Sequence, residues 1–175
     1  MNIECIKTYI EVVALLVGIP FAFYQVYLLI KQLKFSTVQM AEQTDWNRKN
    51  ATFQYIDIYT TELKGINRKV LSELVPKGSG TDSISEQKLK KLLENPTFRA
   101  NILRIVAYFD NLSLGINNKY YDNQIASDSL IVVATDTFVT LKPYIELRRK
   151  ELNIEIASNF EKLYNRWKNE IVPIK

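Results

Sequence analysis

Histidine is absent from the 175-residue chain, and Cys5 is its only cysteine. That excludes, within one chain, a zinc site of thiolates and imidazoles, a Ser-His-Asp triad and a Cys-His pair. Glycine is scarce too: only 5 are present, and none falls in a phosphate-cradling GxGxxG or Walker-type pattern. The nearest approach, Lys77-Gly78-Ser79-Gly80, has no apolar strand pattern before it. Charge of either sign is modest, with 23 Lys and Arg against 19 Asp and Glu, a net +4. Such a balance suits an anionic leaflet or a nucleotide but equally an ordinary soluble surface, so it does not argue for nucleic acid. Any enzyme made from this chain has only carboxylates, lysines, hydroxyls and a bound metal to work with. The composition leans away from catalysis, and no cofactor is expected.

What is present is a long apolar run, Ile10 to Ile30, with Glu11 as its only charge. At about 1.5 Å per residue a helix of that length crosses a bilayer. A buried helix of a soluble domain would carry a polar stripe and a shorter run, whereas Ala14 to Phe23 is apolar on every side apart from Gly18 and Pro20. A cleaved signal peptide would need a basic lead and small residues at its end; here Lys7 stands beside Glu4 and Glu11, and Phe23, Tyr24 and Tyr27 follow. The expected organisation is a short extracytoplasmic lead over 1–9, a transmembrane helix over 10–33 and a cytoplasmic domain over 34–175. Lys31, Lys34, Arg48 and Lys49 follow the run, so the N-terminus is predicted outside and the remainder inside the inner membrane. Tyr9, Tyr24 and Tyr27 suit the interfaces.

On an ideal helix Glu11, Gly18, Gln25 and Gln32 recur every seven residues, and Ala14, Ala22 and Ser36 lie within about 40° of the same line. Leu16, Ile19, Phe23, Tyr27 and Ile30 occupy the opposite face. Small residues let helices approach closely in lipid, and glutamines there seek partners or water. The stripe therefore predicts a homo-oligomer in the lipid bilayer with this face inward, as a packed contact or a pore. Pro20 at mid-span predicts a kink.

The remainder reads as an all-α bundle of about four to five helices without a convincing strand. The helical pattern runs on from Lys31, with Phe53, Ile56, Leu63, Ile66, Val70 and Leu74 as a core-facing stripe closed by Val75-Pro76. A flexible loop is expected near 76–84, then a capping box from Ser83 to Glu86 opening a basic helix, Ser85 to Glu94. Asn95-Pro96 starts the next helix, with Phe98, Ile102, Ile105, Val106, Phe109, Leu112 and Ile116 along one side and Gly115 with Asn117-Asn118 at its end. Asp122 is the expected cap of a helix through Leu141, whose Leu130 to Ala134 segment is apolar all round and predicts deep burial. Pro143 predicts a kink or a new start, and the last helix carries Ile156, Phe160, Leu163, Trp167 and Ile171.

Three sets of side chains have chemistry beyond packing. Tyr108, Asp110, Asn111 and Asp122 could hold a metal or substrate, but carboxylates at turns more often cap helices, and no EF-hand spacing is present. Tyr144, Arg148 and Arg149, with Arg104 as a further cation, could grip a small anionic or nucleotide ligand through arginine forks. A surface patch, or a salt bridge from Glu146 or Glu151, is the competing reading. Trp167 and Tyr164 are core residues first and a ligand platform second.

Ala107-Tyr108-Phe109-Asp110-Asn111-Leu112, Gly115-Ile116, Tyr121-Asp122, Leu141-Lys142-Pro143-Tyr144-Ile145, Arg148, and finally Phe160, Leu163, Arg166 and Trp167 form a set of segments with fairly specific spacing. Over about 97–168 the chain resembles a small bacterial family of uncharacterised membrane-anchored helical proteins, whose anchor it matches only in kind. The resemblance implies a one-pass bacterial protein, loosely associated with accessory and anti-phage defence loci, and carries over no activity. The expected function is a bacterial membrane effector that oligomerises through its transmembrane helix to form a pore or disrupt the membrane, gated by a ligand or partner at the cytoplasmic domain. The alternative is a tethered scaffold that recruits a cytoplasmic protein partner.

Overall fold

The computed structural model describes residues 3–75 and 84–170. All regular structure among them is helical. The chain divides into two compact units, Met1–Trp46 and Asn47–Lys175.

The described residues of the first unit lie within α1, Ile3–Ile58, which runs through Pro20 without interruption. Every described side chain from Ile6 to Thr44 is exposed. The helix is long and apolar enough to cross a membrane, and none of its apolar window is buried. Thr37 and Thr44 donate their hydroxyls to the carbonyls of Leu33 and Met40, at 2.8 and 2.7 Å, so neither hydroxyl needs water.

The second unit begins with the end of α1 and a π-helical turn, Tyr59–Leu63. It continues with α2 Lys64–Leu74, α3 Glu86–Leu93, α4 Pro96–Asn117, α5 Asn123–Leu152 and α6 Ser158–Trp167. Thr60 and Thr61, in the π turn, both donate to the Asp57 carbonyl, at 3.0 and 2.8 Å. The expected stripe through this region needs correction. Phe53 is exposed, and Thr52, Tyr59 and Asn67 are buried with Leu63, Val70 and Leu74, because an apolar count overlooks polar residues that find partners inside.

Helix starts follow the sequence closely. Asn95 accepts from the amides of Thr97 and Phe98, with Pro96 in the first turn, and Asp122 accepts from the Ile125 amide. For α3 the cap is Ser85, which accepts from Lys88, while the expected Ser83 lies outside the described residues, as do most of the 76–84 loop and Ile171. Pro143 does not divide α5, which continues to Leu152. The Leu130 to Ala134 segment is amphipathic rather than fully buried, since Val132 is 60% exposed.

Within this unit α2, α3 and α6 each pack against both α4 and α5. The seven apolar residues expected along α4 are all buried, as are Phe160, Leu163 and Trp167 on α6. Aromatic rings thread the core: Tyr108 meets Phe109 edge-on, Phe109 stacks on Phe160 at 4.8 Å, and Phe138 lies between Phe160 and Tyr164. Such contacts add about 0.5–1.5 kcal/mol each beyond area burial.

Candidate functional site

On α1 the residues of the predicted association face, Glu11, Ala14, Gly18, Ala22, Gln25 and Gln32, are all exposed. A Cβ at Gly18 would meet nothing within 4 Å. Glycine inside a helix costs about 0.5–1 kcal/mol relative to alanine, and no packing among the described residues accounts for it.

In the second unit, α3, the start of α4 and the end of α5 enclose a cleft of about 280 Å³. Lys90, Leu93 and Glu94 line it from α3 and its C-terminal end, Arg99 from the first turns of α4, and Tyr144, Arg148 and Glu151 from α5. Arg148 is held by Glu151 at 2.7 Å. Lys90 pairs with Glu86 at 2.7 Å, and that hydrogen-bonded pair lowers the Glu86 carboxyl and raises the Lys90 ammonium. Burial pushes the Tyr144 hydroxyl up against the opposing pull of Arg148. Arg99 has no carboxylate within ion-pair distance among the described residues.

The sequence-derived cations separate. Arg148 lines the cleft. Arg149 instead donates from Nε and Nη2 to the Ile156 carbonyl, at 3.0 and 2.9 Å, and pairs with Glu161 at 2.8 Å, so it fastens the turn between α5 and α6. Arg104 lies on the exposed side of α4, 3.4 Å from Glu62. Arg99 went unnoticed in the sequence because a single arginine after a helix start carries no periodic signal.

The carboxylates act as caps. Asp110 reaches from α4 to the start of α6, accepting from the Phe160 amide at 2.9 Å and from Asn159 Nδ2 at 3.2 Å. It supplies the acceptor that Ala157, the residue at the cap position of α6, lacks. Asp122 caps α5 and pairs with Arg48 at 3.3 Å, while its amide donates to Thr52 Oγ1 at 2.7 Å. Among the described residues no three Cys, Asp or Glu side chains converge as metal ligands do.

The remaining motif residues are structural. Tyr108 stacks on Tyr55 at 4.6 Å. Phe109, Tyr144 and Trp167 are buried, and Trp167 donates from Nε1 to Asn123 Oδ1 at 3.2 Å. Pro143 is half-buried and Asn111 exposed. As expected, α4 ends at Asn117 with Asn118 at the cap position, and Gly115 lies in its last turn beneath the Tyr121 ring, which an added Cβ would overlap. The chain turns back because the amides of Tyr120 and Tyr121 both donate to the Gly115 carbonyl, at 2.8 and 3.2 Å.

No curated protein and no solved structure matches the chain. A family model, described as a domain of unknown function (DUF4760), matches residues 12–167 and so takes in most of the apolar run as well as all of α2 to α6. The chain belongs to that family.

Proposed function

We propose that this protein is a single-pass effector of the bacterial inner membrane, with its N-terminus outside, whose copies assemble through α1 into a pore. The observation that carries the reading is the stripe from Glu11 to Gln32: small and polar residues on one side of an exposed apolar helix, with a Gly18 that serves no packing among the described residues. Close helix approach at Gly18 and hydrogen bonding by Gln25 give that stripe a use only when copies meet. The bundle acts as the cytoplasmic sensor. Ligand binding opens the assembly only if the open arrangement binds it more tightly, because a ligand of equal affinity for both states shifts nothing. Anti-phage defence is the proposed setting, and phage challenge of cells with and without the intact protein tests it.

The decisive measurement is the mass of the detergent-extracted protein by light scattering, with the detergent contribution subtracted. A discrete oligomer of at least trimeric mass is expected, and Gln25→Leu with Glu11→Leu reduces both its size and dye leakage from liposomes. A monomer, or an oligomer indifferent to both substitutions, overturns the pore. Replacing residues 10–30 by an unrelated apolar helix abolishes leakage if α1 is the pore, whereas a tether that recruits a partner keeps its function.

A further inference from the structure

We propose that the cleft between α3, α4 and α5 is a binding site for the phosphoryl group of a small anion, gripped by Arg99 and Arg148. The inference deepens the ligand-gated reading above by naming the site and the chemistry of its ligand.

The cleft has three cations, Lys90, Arg99 and Arg148, against two carboxylates, Glu94 and Glu151. They differ in how far they are already committed. Lys90 is tied to Glu86 and Arg148 to Glu151, but Arg99 faces the cleft with no ion-pair partner among the described residues. A guanidinium presents five N–H donors in a planar fork, and the Glu151 pair engages Arg148 only through Nη1. An incoming phosphoryl group takes the fork of Arg99 outright and displaces or shares Glu151 at Arg148. At about 280 Å³ the space exceeds what a carboxylate alone fills. A multiply charged tetrahedral group accepts from both arginines at once, which is the geometry that favours arginine for phosphate. Glu151 then acts as a resident competitor that holds Arg148 in place while the cleft is empty.

The test is titration of the full-length protein with inorganic pyrophosphate by isothermal titration calorimetry, in phosphatidylcholine nanodiscs. Saturable binding is expected, with Arg99→Gln and Arg148→Gln each weakening it about tenfold to a hundredfold, the usual range for a hydrogen-bonded charged contact. Arg104→Gln and Arg149→Gln leave it within about twofold, since neither lines the cleft. Glu151→Gln removes the competitor and tightens binding several-fold, a gain that a misfolded variant cannot produce. Absence of pyrophosphate binding, or binding indifferent to Arg99→Gln and Glu151→Gln, overturns the site. Repeating the titration in discs containing phosphatidylglycerol separates the sources of the phosphoryl group: unchanged affinity assigns the cleft to a soluble ligand, and competition lost in Arg99→Gln assigns it to a lipid headgroup. Leakage is read separately, so binding without any change in leakage retains the site and rejects the gate.

Discussion

Tyr55 and Tyr108 each donate a hydroxyl to the other's backbone carbonyl, at 3.0 and 2.9 Å, while their rings stack at 4.6 Å. The exchange joins the last turns of α1 to the middle of α4 by two hydrogen bonds and one ring contact. Either Tyr→Phe substitution keeps the stack and deletes one hydroxyl. Each is expected to cost about 1–2 kcal/mol in chemical denaturation. Because the residues share one contact, the double variant departs from additivity.

The same cluster gives the unit an alkaline limit. Burial, and after it the repulsion of neighbouring phenolates, raises the hydroxyls of Tyr55 and Tyr108 far above the ordinary tyrosine range. A raised folded-state value means that the native state holds its protons after the unfolded chain has begun to lose them. The stabilisation is therefore complete below about pH 10 and declines as pH rises beyond it. Thermal melts from neutral pH to pH 11 should show a falling midpoint above that point, with a shallower fall in Tyr55→Phe than in the parent.

Asp122 serves two functions at once, as the cap of α5 and as the partner of Arg48 on α1. Asp122→Ala removes both and should cost about 1–3 kcal/mol, whereas Asp122→Asn retains the cap and loses only the charge. Thr52→Val deletes the buried acceptor of the Asp122 amide and should cost about 1–2 kcal/mol. Urea unfolding followed by circular dichroism compares the three.

Asp110 caps a helix to which it does not belong. Asp110→Ala leaves the Phe160 amide without its acceptor and should destabilise the protein by about 1–2 kcal/mol. Hydrogen exchange should locate the loss in the first turn of α6, with α3 unaffected.

Gly115→Ala places a methyl in the Tyr121 ring. Overpacking of this kind costs about 1–3 kcal/mol. Tyr121→Ala, which empties the space, should remove that penalty, so that the double variant is no less stable than Tyr121→Ala alone.

Three kinds of feature were legible along the chain. The apolar run of α1, the caps at Asn95 and Asp122 and the buried faces of α4 and α6 are all local or periodic, so a few neighbouring residues suffice to state them. The stripe before Val75 is less legible, because Thr52, Tyr59 and Asn67 are inside for reasons a count of apolar residues does not register. Asn67 donates to both the Tyr59 hydroxyl and Thr137 Oγ1, at 3.0 and 2.9 Å, a pairing that bridges α2 and α5.

The sequence alone determined an all-helical family member with one long apolar helix, since periodicity and capping are properties of short stretches. Tertiary structure alone decided which of two adjacent arginines faces a cleft and which fastens a turn, that Asp110 caps α6, and that Tyr55 meets Tyr108 across 53 positions. Those outcomes depend on how helices far apart in sequence pack together, and a contact made by packing leaves no trace in the spacing of either partner.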